Sequence, residues 1–192
     1  MGSGFDTLGE AANGLSNQAA FSAGAWALAL VFLASAVPKL RKPELAAMAM
    51  VDFGVITKPR PIAGTALGAG EVALALALSL AACGGSTVIR VVPVALAAGA
   101  LWVFSVLILR SLRSSDRFEC FCFGEGGEIS GATLARTSAM AVVASVFAVA
   151  APSVPSGVPG AEAALLSLIV AASVLGVTAL LSTLPTIREV TS

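Results

Sequence analysis

The chain has 192 residues, 57% of them hydrophobic and only 11% charged, with a mean hydropathy of +0.95 and a formal net charge of +0. A soluble domain carries about 25% charged residues, so lipid must solvate most of this surface, and the balanced charge offers no footprint for nucleic acid. There is no His and no Tyr, which removes the usual general base and the commonest metal ligand. Chemistry is left to Cys, Glu, Asp, Lys and Arg.

Residues 1–18 are rich in Gly, Ser and Asn, carry the acids Asp6 and Glu10, and predict a flexible or interfacial tail. No Lys or Arg precedes Lys39. The first apolar run thus lacks the basic leader of a cleaved signal peptide and is expected to be retained. A helix crossing the hydrocarbon needs about 17–25 apolar residues. Five stretches meet this: 19–37, ending at Pro38-Lys39; 61–83, stopped by Gly84-Gly85; 88–109, ending in Arg110 and Arg113; 133–151, followed by Pro152 and Pro155; and 161–184, followed by Pro185. Backbone polar groups in lipid must be satisfied within the segment, so these are helices. Between the first two, Pro43 is placed to open a short interfacial helix carrying Leu45, Met48, Met50 and Phe53. The uncharged loop 152–160 is turn-forming. The expectation is an all-α, polytopic transmembrane helix bundle: one domain over 19–184, a C-terminal tail over 185–192, and no internal repeat.

Charge then predicts orientation. Lys39, Arg41, Lys42, Lys58, Arg60, Arg110, Arg113, Arg117, Arg136 and Arg188 fall on one side of this map, and Arg90 alone on the other. The positive-inside rule places the N-terminus outside, the C-terminus inside and the 110–130 connection near the cytoplasmic face.

That connection carries Arg117-Phe118-Glu119-Cys120-Phe121-Cys122-Phe123-Gly124-Glu125-Gly126-Gly127. Two cysteines one residue apart bond only in a tight turn, since in an extended strand they point to opposite faces. A ring so small is strained and easily reduced, which suits exchange rather than stapling. Gly124, Gly126 and Gly127 give the backbone freedom for it. Ser130 is a candidate N-cap for the fourth helix, whose positive end stabilises a thiolate. Arg117 and Arg136 add to that field, and Glu119, Glu125 and Glu128 oppose it. Two blander readings compete: inert apolar packing of both thiols, and a metal site, for which Cys plus carboxylates without His is an incomplete tetrahedral set. Cys83 ends the second run on the opposite side and reads as inert packing or a lone interfacial thiol.

Glu71 lies about 15 Å along the second run if that helix begins at Pro61. A carboxylate at such depth costs about 2.5 kcal/mol or more and is expected to face the bundle and find a partner. A protonated acid, a proton acceptor for thiol chemistry, a contact for a quinone headgroup and a purely structural hydrogen bond all remain open for it. Gly64 and Gly68 permit close helix approach. Lys39 and Arg41 read as snorkelling anchors, with positive charge near Glu71 or the cysteines as the other role for them.

Together these residues resemble the methylamine-utilisation protein MauE family, within the wider DoxX-like membrane group. The resemblance rests on Phe32-Leu33-Ala-Ser-Ala-Val-Pro-Lys39-Leu40 closing the first helix, on Glu71 in the second, and on Cys120-Phe-Cys122-Phe-Gly124 followed by Ile129-Ser130 and Arg136. It covers roughly residues 21 to 151. The family has four spanning helices, so the fifth run lies beyond it, and Phe121 stands where a small residue is frequent. The resemblance implies a bacterial plasma-membrane protein of thiol–disulfide exchange that serves a thioredoxin-like partner or a thiol-containing client, in the namesake the disulfide-rich small subunit of methylamine dehydrogenase. Its candidate catalytic residues here are Cys120, Cys122 and Glu71, supported by Arg117, Gly124, Arg136 and Lys39. A quinone is a candidate electron acceptor. That role lies outside the plasma membrane, whereas the charge map puts the cysteines inside. The competing classes are a non-enzymatic membrane scaffold or assembly factor and, less favoured, a small-solute or metal carrier built around Glu71.

Overall fold

The break that the sequence places at Pro38 falls one proline later. In the computed structural model, which describes residues 3–113, 119–120, 127–128, 131–154 and 169 (backbone alone over 3–16, 119–120 and 127–128), helix α1 runs Ser3–Arg41 with Pro38 inside it. Pro38 removes only the N–H that would reach Ala34, one turn back. The turn closes all the same, because the Lys42 N–H donates to the Pro38 carbonyl at 2.9 Å. The true break is at Lys42 (φ −134°, ψ 68°), since the residue before a proline is driven out of the helical region. Pro43 then sits in the first turn of α2, Pro43–Asp52, where its missing N–H costs nothing.

Three further helices follow: α3 (Pro61–Ala82), α4 (Thr87–Arg113) and α5 (Gly131–Ala150), the last running into a short 3-10 turn, Ala151–Ser153. Between α4 and α5 the two-residue strands β1 (Glu119–Cys120) and β2 (Gly127–Glu128) pair antiparallel, with Cys120 opposite Gly127. Among the described residues, four helical segments are long and apolar enough to cross a membrane: Asn17–Arg41, Pro61–Ala82, Thr87–Arg113 and Gly131–Ser153. The fold is thus an all-helical, multi-pass bundle. The expected fifth run, 161–184, lies outside the described residues except for Ile169.

α3 also begins on a proline and ends where Gly84 (φ 100°) and Gly85 (φ 124°) reverse the chain in a region closed to most side chains. α1 packs chiefly on α3 and α4 on α5; α3 and α4 join the two pairs, and α2 folds back onto α3. The buried face of α3 reads Gly64, Gly68, Glu71, Ala75, Leu78, Ala82, a 4-3-4-3-4 spacing that defines one helix stripe. With no hydrophobic drive between helices in lipid, close packing of small residues must hold them. The core shows this: Ala29, Ala75, Ala97, Ala98, Ala141 and Ala144 sit among Phe21, Phe32, Leu78, Val94 and Leu101. Leu76, Leu80, Leu96, Val106, Val146 and Val149 point outward, toward the acyl chains.

Several polar groups of the described helices are tied across the bundle. Ser22 donates to the Ala82 carbonyl at 2.7 Å and Trp102 to Ser145 at 3.1 Å. Arg90 is buried at the start of α4 and donates to the Val154 carbonyl beyond α5. It ties the two ends together instead of standing as a surface charge.

Among the described glycines, Gly64 is the most tightly enclosed. A Cβ there would lie 2.1 Å from the Pro43 carbonyl oxygen, and one at Gly68 would lie 2.9 Å from the Leu40 side chain, whereas one at Gly70 meets nothing within 4 Å. Gly64→Ala is expected to cost about 1–3 kcal/mol through backbone displacement. Gly70→Ala is expected to be neutral or stabilising by up to about 1 kcal/mol, since alanine is the better helix former. Thermal unfolding of both variants in detergent checks the contrast.

Candidate functional site

All four spanning helices meet at one polar cluster. α1 contributes Ser35 and Lys39, which are one helical turn apart and therefore share a face. α3 contributes Glu71. α4 brings Phe104 and Ile108, and the first two turns of α5 bring Thr133 and Thr137. Lys39 is 4% exposed and Glu71 5%, so the snorkelling-anchor reading of Lys39 is overturned. Two residues before the end of α1, its side chain would reach headgroups if α1 and α3 began and ended together. They do not: α2 turns back over the first turns of α3, Pro43 against Gly64, so the end of α1 faces the middle of α3. Glu71, about 15 Å into α3, is therefore met by the cation.

The contacts are close. Lys39 Nζ donates to Glu71 Oε1 at 2.7 Å and Oε2 at 2.8 Å, to Ser35 Oγ at 2.5 Å and to the Ser35 carbonyl at 3.1 Å. Ser35 Oγ in turn donates to Glu71 Oε1 at 3.4 Å. The ammonium lies 5.8 Å from the centre of the Phe104 ring, within cation–π range. Three ammonium protons thus serve four acceptors, and both carboxylate oxygens are engaged. Among the described residues, a quinone carbonyl that approached Glu71 would have to share a donor already engaged in this network.

Phe104 separates two cavities. On one side a chamber of about 30 Å³ is bounded by Ser35, Glu71, Thr133 and Thr137 together with apolar residues; that is about the volume of one water molecule. On the other side an apolar cavity of about 300 Å³ lies between α2, α3 and α4, with Lys39 and Phe104 in its wall.

Among the other residues singled out by sequence, Arg136 lies half-buried on α5, next to Thr137. Cys120 is placed by its backbone on β1, and the β1–β2 pairing belongs to the connection that enters α5 two residues before Thr133. Cys122, Arg117, Gly124 and Ser130 lie outside the described residues. Cys83 caps α3 at the far end of the bundle as an exposed free thiol. Sequence reading missed Ser35, Phe104, Thr133 and Thr137. Only Ser35 carried a signal, its position four residues before Lys39.

Removing one member of a buried ion pair leaves the other uncompensated, at a cost of about 3–5 kcal/mol. Lys39→Met and Glu71→Gln are each expected to lower the unfolding midpoint in detergent sharply. The double variant K39M/E71Q, which removes both charges, is expected to recover most of that loss.

The model of the family described as methylamine utilisation protein MauE matches residues 17–151. No curated protein and no solved structure matches the chain. The matched region starts with the spanning part of α1 and ends just past α5, and so contains each helix that contributes to the buried cluster. The chain is a multi-pass membrane protein and belongs to the MauE family.

Proposed function

We propose that this protein carries out thiol–disulfide exchange at the membrane, with Cys120 and Cys122 as the exchanging pair and the Lys39–Glu71–Ser35 cluster as its proton-handling neighbour. The observation that carries the reading is the buried ion pair: a lipid-embedded bundle keeps Lys39 and Glu71 buried and bonded, toward the end at which α5 begins. Intramembrane ionisable groups are retained for function by default. Membership of a family described by methylamine utilisation supports a service to a client protein.

The chemistry is balanced without an external oxidant. A thiolate Sγ of the pair attacks one sulfur of a partner's disulfide, that S–S bond breaks, and a mixed disulfide forms. The second cysteine then attacks the mixed disulfide. The partner leaves as a dithiol, and Cys120 and Cys122 are joined; with an oxidised pair and a reduced client the same steps run in reverse. Each of the two attack steps moves one proton from an attacking thiol to a departing thiolate. Glu71, with Ser35 beside it and the water-sized chamber toward α5, provides a place for that proton. A thioredoxin-like protein or a thiol-bearing client is the partner this chemistry fits. The bacterial plasma membrane is the expected location, and the basic residues at the cysteine end favour the cytoplasmic side for it.

The double variant C120S/C122S is expected to lose all exchange with a thioredoxin-like partner, measured by gel shift of alkylated thiols. Full exchange in that variant would leave a scaffold role as the better account. K39M/E71Q is expected to keep both cysteines open to alkylation but to slow exchange by about 10²–10⁴-fold, the usual contribution of a positioned proton-transfer group. Alkylation in intact cells with permeant and impermeant reagents reads the sidedness of the pair.

A further inference from the structure

We infer that the bundle holds one anionic phospholipid, its phosphate at Lys58 and Arg60 and one acyl chain in the apolar cavity between α2, α3 and α4. Two cavities that share a wall point to this amphiphile. The first, about 390 Å³, is formed by the α2–α3 connection, with Val55, Thr57, Lys58 and Arg60 in its lining. The second is the 300 Å³ cavity described above, walled by Ala46, Met50, Phe53, Leu67, Ala100 and Leu107 among others. Val55 lines both.

The polarity of the two compartments changes in the order a phospholipid requires. The loop cavity has two cations in its lining and no acidic residue. Asp52, the nearest acid in sequence, lies on α2 outside that lining. Lys58 and Arg60 are exposed and take part in no ion pair or side-chain hydrogen bond among the described residues. The loop precedes spanning helix α3 directly, so it stands at headgroup level. The deeper cavity offers hydrocarbon and, apart from Lys39, only apolar side chains. That one cation does not recruit a charged group, because its protons are held by Glu71 and Ser35. A neutral apolar ligand leaves Lys58 and Arg60 without a counter-charge, and free phosphate leaves the apolar cavity unfilled. A phospholipid with net negative charge satisfies both. Its chain would lie against Phe104, and so would close the lipid side of the ion pair.

The test uses the full chain in nanodiscs of phosphatidylcholine doped with phosphatidylglycerol, with lipid retained after release counted by native mass spectrometry. One phosphatidylglycerol per chain is expected, in preference to phosphatidylcholine. Juxtamembrane cations each contribute about fivefold in affinity, so K58Q/R60Q, altered only on an exposed loop, is expected to weaken retention about 25-fold. Ala100→Phe, which fills the deeper cavity, is expected to weaken retention of phosphatidylglycerol without changing the weak binding of glycerol phosphate alone. Equal retention of the two lipids, or retention unchanged in K58Q/R60Q, overturns the proposal. Displacement of the lipid by millimolar inorganic phosphate, with no effect of A100F, reassigns the site to free phosphate and overturns it too. The measurement does not involve Cys120 or Cys122, and C120S/C122S is expected to retain the lipid fully, so the outcome stands apart from the exchange chemistry proposed above.

Discussion

The organisation of this bundle depends on one ion pair closed off from water. Two opposite charges in a low-dielectric interior attract strongly, but their desolvation consumes much of that gain, and the balance turns on further hydrogen bonds. Ser35 supplies them, with its hydroxyl and its carbonyl both turned to the Lys39 ammonium and the same hydroxyl also to Glu71. Because the pair bridges α1 and α3, it also sets which faces of those helices meet. A rotation of either helix by one residue would carry a charge toward lipid. Small residues then let the backbones close around it: Gly64 and Gly68 lie on the same stripe of α3 as Glu71, so the contact that brings the helices together and the charge that orients them belong to one surface.

Much of this was legible in the sequence, for identifiable reasons. Spanning helices announce themselves by length and hydropathy, and the runs at 61–83, 88–109 and 133–151 agree closely with α3, α4 and α5. The stop at Gly84-Gly85 and the start at Pro61 follow from backbone chemistry that a sequence displays directly. Glu71 stood out because a carboxylate is rare in such a run. Its partner did not, because the identity of that partner depends on a fold-back. Lys39 sits near a helix end, where a lysine is usually an anchor, and only the seat of Pro43 on Gly64 turns that end inward. The same fact explains the misplaced helix stop: two prolines lie close together, and which one ends the helix is decided by the residue before Pro43. Phe104, Thr133 and Thr137 were invisible because nothing separates them from ordinary lining residues until four helices are brought together.

The arrangement joins features that composition keeps apart. The chain has few charges; among the described residues, Lys39 and Glu71 are gathered where the four spanning helices meet, and Arg90 ties helix ends. The first two turns of α5, the helix that follows the cysteine-bearing connection, line the cluster, and the loop before α3 borders the cavity behind it. The proposed exchange chemistry, proton handling and lipid seat would then share one end of the molecule. The opposite end, with Cys83, Arg90 and the Gly84-Gly85 turn, serves to hold the helices in order.

The pairing of charges across α1 and α3 also bears on how the protein enters its membrane. α3 alone would bring Glu71 unmatched into hydrocarbon, at about 2.5–3.5 kcal/mol for a charge near the centre of a helix, whereas Lys39, near the end of α1, would reach the headgroups of a lone helix. Together they enter neutral. The first two spanning segments therefore gain by leaving the translocation channel as a joined hairpin, with α2 folded across their link, so that biogenesis and the final packing obey the same electrostatic rule.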